Sequence, residues 1–400
     1  MPDYFVRPYD VLFFRGNKSF HFGEWFTEGV FPPYPSTFQG FIRSKMLHDG
    51  EYFDLNGRLK PGVNAEDIVG NDERLSVSIT GPYLMDRGAN EIYFKTPEDL
   101  FGTMKGCNIY YSAFPGKYIP LESDQDFITA CPNIPKEKPD NLYPPDYISM
   151  KALLSYRLSL RDIKMDGINP CLSEDRVGIS LNTAGLRSGN RTVEKTKFYV
   201  TNYNRLQNNY GFYCSVNTEL KEGSLKLGSE SHLANVEKLN TVNRLKETLT
   251  ISRRSLNEQI LKTQTFRLVL LQHGVFTDGW LPFPHRIDDG TKRLLLFPDG
   301  FKLKLELIFA FTEAHLIISV YSFASNKTDG KQESRRLKRQ VSAVPAGSVY
   351  MVRIQEGSDT EIVRFIDRFD NEKILYPPYS DMGFNHVMLA CGAKINGEGE

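Results

Sequence analysis

The sequence predicts an α+β protein of two tandem domains, and three observations carry that expectation. The chain has 400 residues, more than one hydrophobic core usually serves. Tyr and Phe number 20 and 27, a bias toward strands and toward stacking surfaces. Both halves also run through one order of elements. Each has an opening strand, a glycine-bearing loop, a middle hairpin, and a late glycine (Gly228, Gly383) turning into a closing strand. This order fits a ferredoxin-like βαββαβ unit in each half, with no clear first helix in the second. Such sheets commonly present one face to RNA. The expected domains are residues 1–245, with an insertion at about 97–175, and residues 246–400.

The elements follow from the residues in order. Residues 3–13 read as a strand bent or edged at Pro8. The stretch from Phe14 to Ser44 comes next and holds Gly16, Gly23, Gly29 and a Pro-Pro-x-Pro turn. Pro35 presets a turn, and Ser36 or Thr37 is placed to cap a helix whose apolar positions are Phe38, Phe41, Ile42 and Met46, with Gly50 past its end. Residues 75–84 alternate as a strand, and Gly88-Ala89-Asn90 turns into Glu91–Lys95 as a hairpin. Residues 97–150 are irregular and proline-rich, with a strand-like piece at Cys107–Phe114. A helix is expected at 148–160.

The run from Thr183 to Lys197 places Arg187, Arg191, Lys195 and Lys197 against one acid, Glu194. Strands are expected at 197–206 and 211–217, and a charged helix bridging the domains at 243–263. The second half opens with a strand at Thr265. Strands 301–311 and 315–323 are expected to form a hairpin. Residues 326–340 make a third basic, glycine-bearing loop. The strand Gly347–Ile354, a helix at about 360–369 and the closing segment 382–394 complete the reading.

Composition limits the function. The formal net charge is zero, so nucleic acid would have to be held by local patches rather than overall charge. The N-terminus lacks the apolar core of a signal peptide, and no run has the length of a membrane span. The five cysteines are dispersed and lack C-x-x-C spacing. A reduced, cytoplasmic protein without a metal site is expected.

One stretch offers local chemistry for an anion. The open end of the 36–49 helix carries partial positive charge, and Arg15, Lys18, His21, Arg43 and Lys45 surround it in sequence. The residues suit a glycine-permitted cradle for a nucleic-acid backbone. They also suit an ordinary capped core helix after a long loop, which is the commoner arrangement. Residues 183–197 likewise suit a basic contact loop or a solvated hairpin tip.

Several separated motifs then coincide with one family. They are F-F-R-G-N-K-S-F (13–20), F-P-P-Y-P-S-T-F-Q-G-F-I-R (31–43), R-V-G-I (176–179) and L-G-S-E-S-H-L-A-N-V-E (227–237). D-G-W-L-P (278–282), A-V-P-A-G-S-V-Y (343–350) and G-F-N-H-V-M-L-A-C-G (383–392) continue the series. Their order and spacing resemble the third subunit of the Cmr-type (type III-B) CRISPR effector complex, in the RAMP superfamily. The late loops depart from the superfamily's richer glycine content, which points to a structural role for them here.

The resemblance implies two ferredoxin-like domains with insertions and a non-catalytic part in antiviral defence. It implies that the chain holds the repeat-derived 5′ tag of the guide CRISPR RNA. It implies docking against the large polymerase-like signalling subunit and the adjacent backbone RAMP subunit, with target RNA met indirectly. No cofactor and no membrane are implied. Carried to this sequence, Arg15, Lys18, His21, Ser36, Thr37, Gly40, Arg43, Arg187, Arg191 and Lys195 would contact RNA, with Phe20, Phe22 and Tyr34 available for stacking. The competing expectation is a RAMP-type endoribonuclease that processes CRISPR RNA, for which His21 beside Lys18 is the one candidate base.

Overall fold

The computed structural model describes residues 1–16, 26–71, 74–105, 107–120, 127–133, 144–161, 163–164, 166–181, 193–229, 232–242, 244–321 and 337–394. It is a mixed α/β structure built on two large antiparallel sheets. The first has eight strands, in the order Gly167–Ile168, Tyr147–Ser149, Glu91–Lys95, Ile79–Asp86, Tyr210–Val216, Pro2–Pro8, Leu233–Val242 and Gly223–Lys226. The second has seven, in the order His285–Ile287, Leu294–Leu296, Lys304–Phe311, Val349–Glu356, Thr265–Leu270, His386–Cys391 and Glu372–Lys373. The helices are α1 (Pro35–Asp49), α2 (Ala65–Val69), α3 (Met150–Leu158), α4 (Arg244–Ile251), α5 (Arg253–Thr263) and α6 (Asp359–Phe369). Among the described residues, no helix is long and apolar enough to cross a membrane.

The central strands explain their own sequence. Along Pro2–Pro8, Tyr4 and Val6 enter the core under α1, while Phe5 points to the opposite face. Along Thr265–Leu270, Phe266, Leu268 and Leu270 face α5 and α6, while Val269 faces the first sheet's core. The two sheets thus share a middle layer in which Phe5, Tyr83, Phe94 and Tyr213 meet Val269, Val349, Met388 and Ala390. Strands buried on both faces lose polar alternation, which is why T-F-R-L-V-L and H-V-M-L-A-C read as near-continuous apolar runs.

α6 is the helix most fully specified locally. Ser358 caps it by accepting from the Glu361 N–H at 3.3 Å, acids occupy its first turn and Arg368 its last. Ile362, Phe365, Ile366 and Phe369 fall on one stripe and are all buried. Each such side chain contributes about 1.5–3 kcal/mol by leaving water.

Buried charge ties the halves together. Arg267 Nη1 lies 3.2 Å from Asp99 Oδ2, and both side chains are fully buried. Its Nη2 donates to the Tyr156 carbonyl at 2.9 Å, and the guanidinium sits over the Tyr156 ring. Arg157 pairs with Asp370 at 2.5 Å across the same layer, and Arg253 reaches Asp370 at 3.2 Å.

Several expectations need correction. The opening strand stops at Pro8, and residues 11–15 continue only through the isolated Leu12–Asn204 and Arg15–Gly29 bridges. The strand expected at 75–84 spans Ile79–Asp86, with Gly81–Pro82 opposite a register shift between Tyr213 and Ser215, where a proline costs no ladder bond. The bridging helix is two, α4 and α5, separated at Ser252, whose hydroxyl accepts from Arg157 Nη1. Strands 304–311 and 316–321 do not form a hairpin. The first pairs with Leu294–Leu296 and Val349–Glu356, the second with Leu337–Ala343. Local alternation signals both strands but not their partners.

A long ribbon, Cys171–Leu181 with Val193–Leu206, stands on the first half, and Phe26–Glu28 joins it in parallel at Val200–Asn202. Its base is held by an alternating ring of charges. Arg205 contacts Asp10 at 3.0 Å and Glu174 at 2.7 Å, and Arg176 contacts Glu174 at 2.7 Å.

Candidate nucleic-acid interface

The stretch from Phe14 to Ser44 begins with a closed neck. The Val30 N–H donates to the Phe14 carbonyl at 2.8 Å, and Arg15 bridges Gly29. A Cβ at Gly29 would stand 3.0 Å from the Phe13 ring, so a side chain there would crowd that ring. Arg15 is exposed at this neck. Lys18 and His21, with Phe20 and Phe22, lie outside the described residues.

α1 starts two or three residues earlier than a cap at Ser36 or Thr37 would place it. Tyr34 is its N-cap, Pro35 its first residue, and no side chain caps it, so Ser36 and Thr37 sit inside the first turn. Their polar groups compete for no cap bond; Thr37 is exposed and Ser36 half-buried. The Tyr34 carbonyl accepts from the Thr37 and Phe38 N–H groups at 3.0 and 3.1 Å. Gly40 is half-buried and its carbonyl accepts from Ser44 Oγ at 2.9 Å.

The cations further along α1 turn inward. Arg43 is buried and donates from Nη2 to the Gly70 carbonyl at 2.6 Å. Gln39, one turn earlier, donates to the Val77 carbonyl at 2.7 Å. The pair clamps residues 70–77 to the helix, which is a packing duty that i,i+4 spacing supplies. Lys45 pairs with Asp49 within the helix. Arg187 and Arg191 lie outside the described residues, and Lys195 falls on the strand Val193–Leu206.

A cleft of about 220 Å³ opens beside the start of α1, between the halves. Phe31, Tyr34, Tyr93 and Tyr147 give it aromatic walls, and Lys95 and Glu313 face each other across it at 3.8 Å. His273 forms its floor, with its ring edge-on to Tyr34 at 5.6 Å. Its Nδ1 accepts from the Ala346 N–H at 3.0 Å. Burial, then the charge on Lys95, lowers its pKa to about 4, so it is neutral at pH 7. Glu98, bonded through its N–H to the Gly347 carbonyl nearby, is pushed up to about 7 by burial and then by Glu313. Aromatic faces with a lysine and a carboxylate beside them suit a flat heterocycle whose edges both donate and accept.

Of this cleft, sequence reasoning singled out Tyr34 alone. Tyr93, Lys95, Tyr147, His273 and Glu313 come from four separate segments. The pairing of Glu91–Lys95 with Tyr147–Ser149 and the Lys95–Glu313 ion pair, both long-range contacts, draw three of those segments together. The closing histidine motif is structural. His386 is buried, bonded to Tyr83 Oη at 2.5 Å and to Asn371 Oδ1 at 3.0 Å. Among the described residues, no cluster of three or more His, Cys, Asp or Glu has a metal-binding arrangement.

The family model described as CRISPR-associated protein (Cas_Cmr3) matches residues 4–390. No curated protein matches the sequence. The chain is similar to one in the cryo-EM structure of Type III-B Cmr-beta bound to cognate target RNA and AMPPnP, state 1. That alignment has 13% identity, 96% of each chain covered and a TM-score of 0.45. A chain of Cmr-beta bound to cognate target RNA aligns at 13% identity, again over 96% of each chain, with a TM-score of 0.44. A chain of the Csm3–Csm4 subcomplex in the type III-A CRISPR-Cas interference complex aligns at 13% identity. It covers 88% of this chain and 92% of that one, with a TM-score of 0.31.

Proposed function

The chain belongs to the CRISPR-associated Cas_Cmr3 family, a subunit of type III-B effector complexes, and from that premise we propose that it is the non-catalytic subunit holding the 5′ repeat-derived tag of the guide CRISPR RNA. In the same reading it docks the large signalling subunit onto the backbone filament. The observation that carries the tag reading is the aromatic cleft beside the uncapped start of α1, with Lys95 in its wall. Tag bases splayed from their neighbours stack on Tyr34, Tyr93 or Tyr147, while Arg15 and the 183–197 segment meet the phosphates. Arg43, clamped to Gly70, has no part in this.

We read each large sheet as ferredoxin-like. The four central strands of each, taken in chain order, lie as 4-1-3-2 and are antiparallel throughout, which supports that reading. The domain boundary falls in the α4–α5 segment.

The test compares a labelled guide carrying its tag with one carrying a scrambled tag, across a salt series, followed by gel analysis of the RNA. The expected result is tag-preferring binding that weakens with salt, weakens about tenfold in Tyr34→Ala, and falls further in Arg187→Ala/Arg191→Ala. Equal affinity for both guides would sink the tag reading. RNA cut at one site by wild type but not by His21→Ala would replace it with the processing nuclease.

A further inference from the structure

The cleft beside α1 presents its polar groups in a fixed order. Tyr93 and Lys95 lie two residues apart on one strand, and Lys95 is paired directly with Tyr147 on the next. Period-two alternation therefore puts all three side chains on one face of the first sheet, with Phe94 buried on the other. Gly347 packs against this strand from the second half. With φ at 89°, it comes so close that a Cβ would meet the Thr96 carbonyl oxygen at 2.6 Å and Lys95 Cγ at 3.0 Å. The stem of the lysine is thus confined, and its ammonium stands beside the aromatic walls.

Glu313 completes the order from the second half. Its Oε1 is the oxygen 3.8 Å from Lys95 Nζ, so its Oε2 stands next in line. Glu98 hydrogen-bonds to Glu313 from the segment of Lys95 itself. Burial first and Glu313 second push Glu98 up to about 7, so near neutrality it carries a proton half the time and donates it to Glu313. Each carboxylate oxygen has two acceptor sites, and Glu313 therefore keeps one on each oxygen for the cleft. His273 does not compete, because its Nδ1 is taken by the Ala346 N–H. Counted outward from the lysine, the wall reads donor, acceptor, acceptor.

Guanine is the RNA base with the complementary edge. Its O6 accepts, then its N1–H and N2–H donate, side by side. Uracil offers acceptor, donor, acceptor, and sets its O2 against one Glu313 oxygen. Cytosine is reversed throughout. Adenine offers one amino group beside a ring acceptor on either of its edges, and so satisfies one Glu313 oxygen only. A base acceptor pressed against a carboxylate oxygen leaves both unpaired, which is costly where water is excluded. We propose that the cleft selects a guanine of single-stranded RNA, stacked on its tyrosines, with O6 on Lys95 and with N1–H and N2–H forked onto Glu313. This specificity rests on the tag reading of the same cleft, and Glu98 serves it as a positioning residue.

The probes are fluorescein-labelled octauridine and its variants with one central guanine, adenine, cytosine or inosine, measured by polarisation against the full chain. The guanine probe is expected to bind about tenfold tighter than the others, and inosine, which lacks only the N2 amine, to fall with adenine. Glu313→Gln turns the array into donor, acceptor, donor, so guanine should lose its advantage and uracil gain it. Glu313 is exposed, and circular dichroism should stay unchanged. Tyr34→Ala should weaken all probes alike, because stacking serves every base. Equal affinity for the five probes, no binding of any, or a guanine preference untouched by Glu313→Gln, overturns the proposal. The tagged and scrambled guides judge the tag reading separately. Their equal binding beside a guanine preference that Glu313→Gln abolishes would keep this subsite and sink the tag, and a tag preference with no base preference here would do the reverse. GMP that displaces the guanine probe with the affinity of the RNA itself would overturn the RNA assignment in favour of a free nucleotide.

Discussion

The two halves share one order of central strands and differ in which crossover is helical. In the first half α1 joins the first pair of strands, while residues 217–229 and 232 run from the third toward the fourth with only the Gly223–Lys226 strand. In the second half the helical crossover is α6, and residues 271–303 pass from the first strand to the second without a helix. The second half repairs its gap from outside. α5 precedes the first strand yet places Leu256 and Ile260 in the core beside α6. Among the described residues the first half has no such substitute, and a groove lies beside its last strand there. A missing helix is therefore not an equal loss in both places: one gap is filled by packing from a neighbouring helix, the other is not.

The largest effect on this comparison comes from the layer that joins the halves. Arg267→Met strands Asp99 in a dry core and is expected to cost about 3–5 kcal/mol. Urea denaturation followed by both tryptophan fluorescence and circular dichroism would show one transition at a lower midpoint. Two separate transitions would mean that the halves fold independently.

The late glycines give the next effect. Gly383 has φ 103°, and a Cβ there would meet the Gly81 carbonyl at 2.5 Å, across the seam. Gly228 has φ 80°, and its Cβ would meet the Phe13 carbonyl at 2.9 Å within one half. Gly383→Ala should cost about 3 kcal/mol and Gly228→Ala about 1–2 kcal/mol. Thermal melts that rank them the other way would show that the seam yields more easily than the first half.

Acid probes the same seam. Burial, then Lys373, lowers the His386 pKa to about 3, whereas an unfolded histidine titrates near 6.5. Between those values the unfolded chain binds a proton that the folded chain refuses. The stabilisation is complete above about pH 6.5 and falls as pH drops toward 3. His273 acts in the same sense down to about 4. Glu98, raised to about 7, works the opposite way, gaining stability as pH falls through 7. The informative quantity is hence the variant difference. The loss of stability between pH 7 and pH 5 should be smaller in His386→Asn than in wild type, and an equal loss would remove His386 as its source.

The smallest effect separates the two crossover helices. Ser358→Ala removes the α6 cap and should cost about 1 kcal/mol. Thr37→Ala, in the uncapped first turn of α1, should stay within about 0.5 kcal/mol.

These contrasts also mark how far the sequence is readable. α6 was legible because capping serine, apolar stripe and terminal charges agree within one segment. Glu91–Lys95 was legible because Gly88-Ala89-Asn90 fixes its turn. The start of α1 was misplaced because Tyr34 needs no side-chain bond to serve as its cap, while the Ser36-Thr37 pair carries the ordinary capping chemistry. Arg43 looked like a surface cation because its acceptor, the Gly70 carbonyl, is 27 residues away. The pairing of 304–311 away from 316–321 and the assembly of the cleft depend on strand partners, which alternation alone does not name.

The three-stranded ribbon has a mechanical consequence. Phe26–Glu28 lies within the first glycine-bearing stretch, and its neighbour Val193–Leu206 takes in the end of the second basic segment, with Lys195 and Lys197. The two thus meet at a single post, footed on Asp10, Glu174, Arg176 and Arg205. A ligand that engaged both stretches would therefore gain avidity from this shared footing.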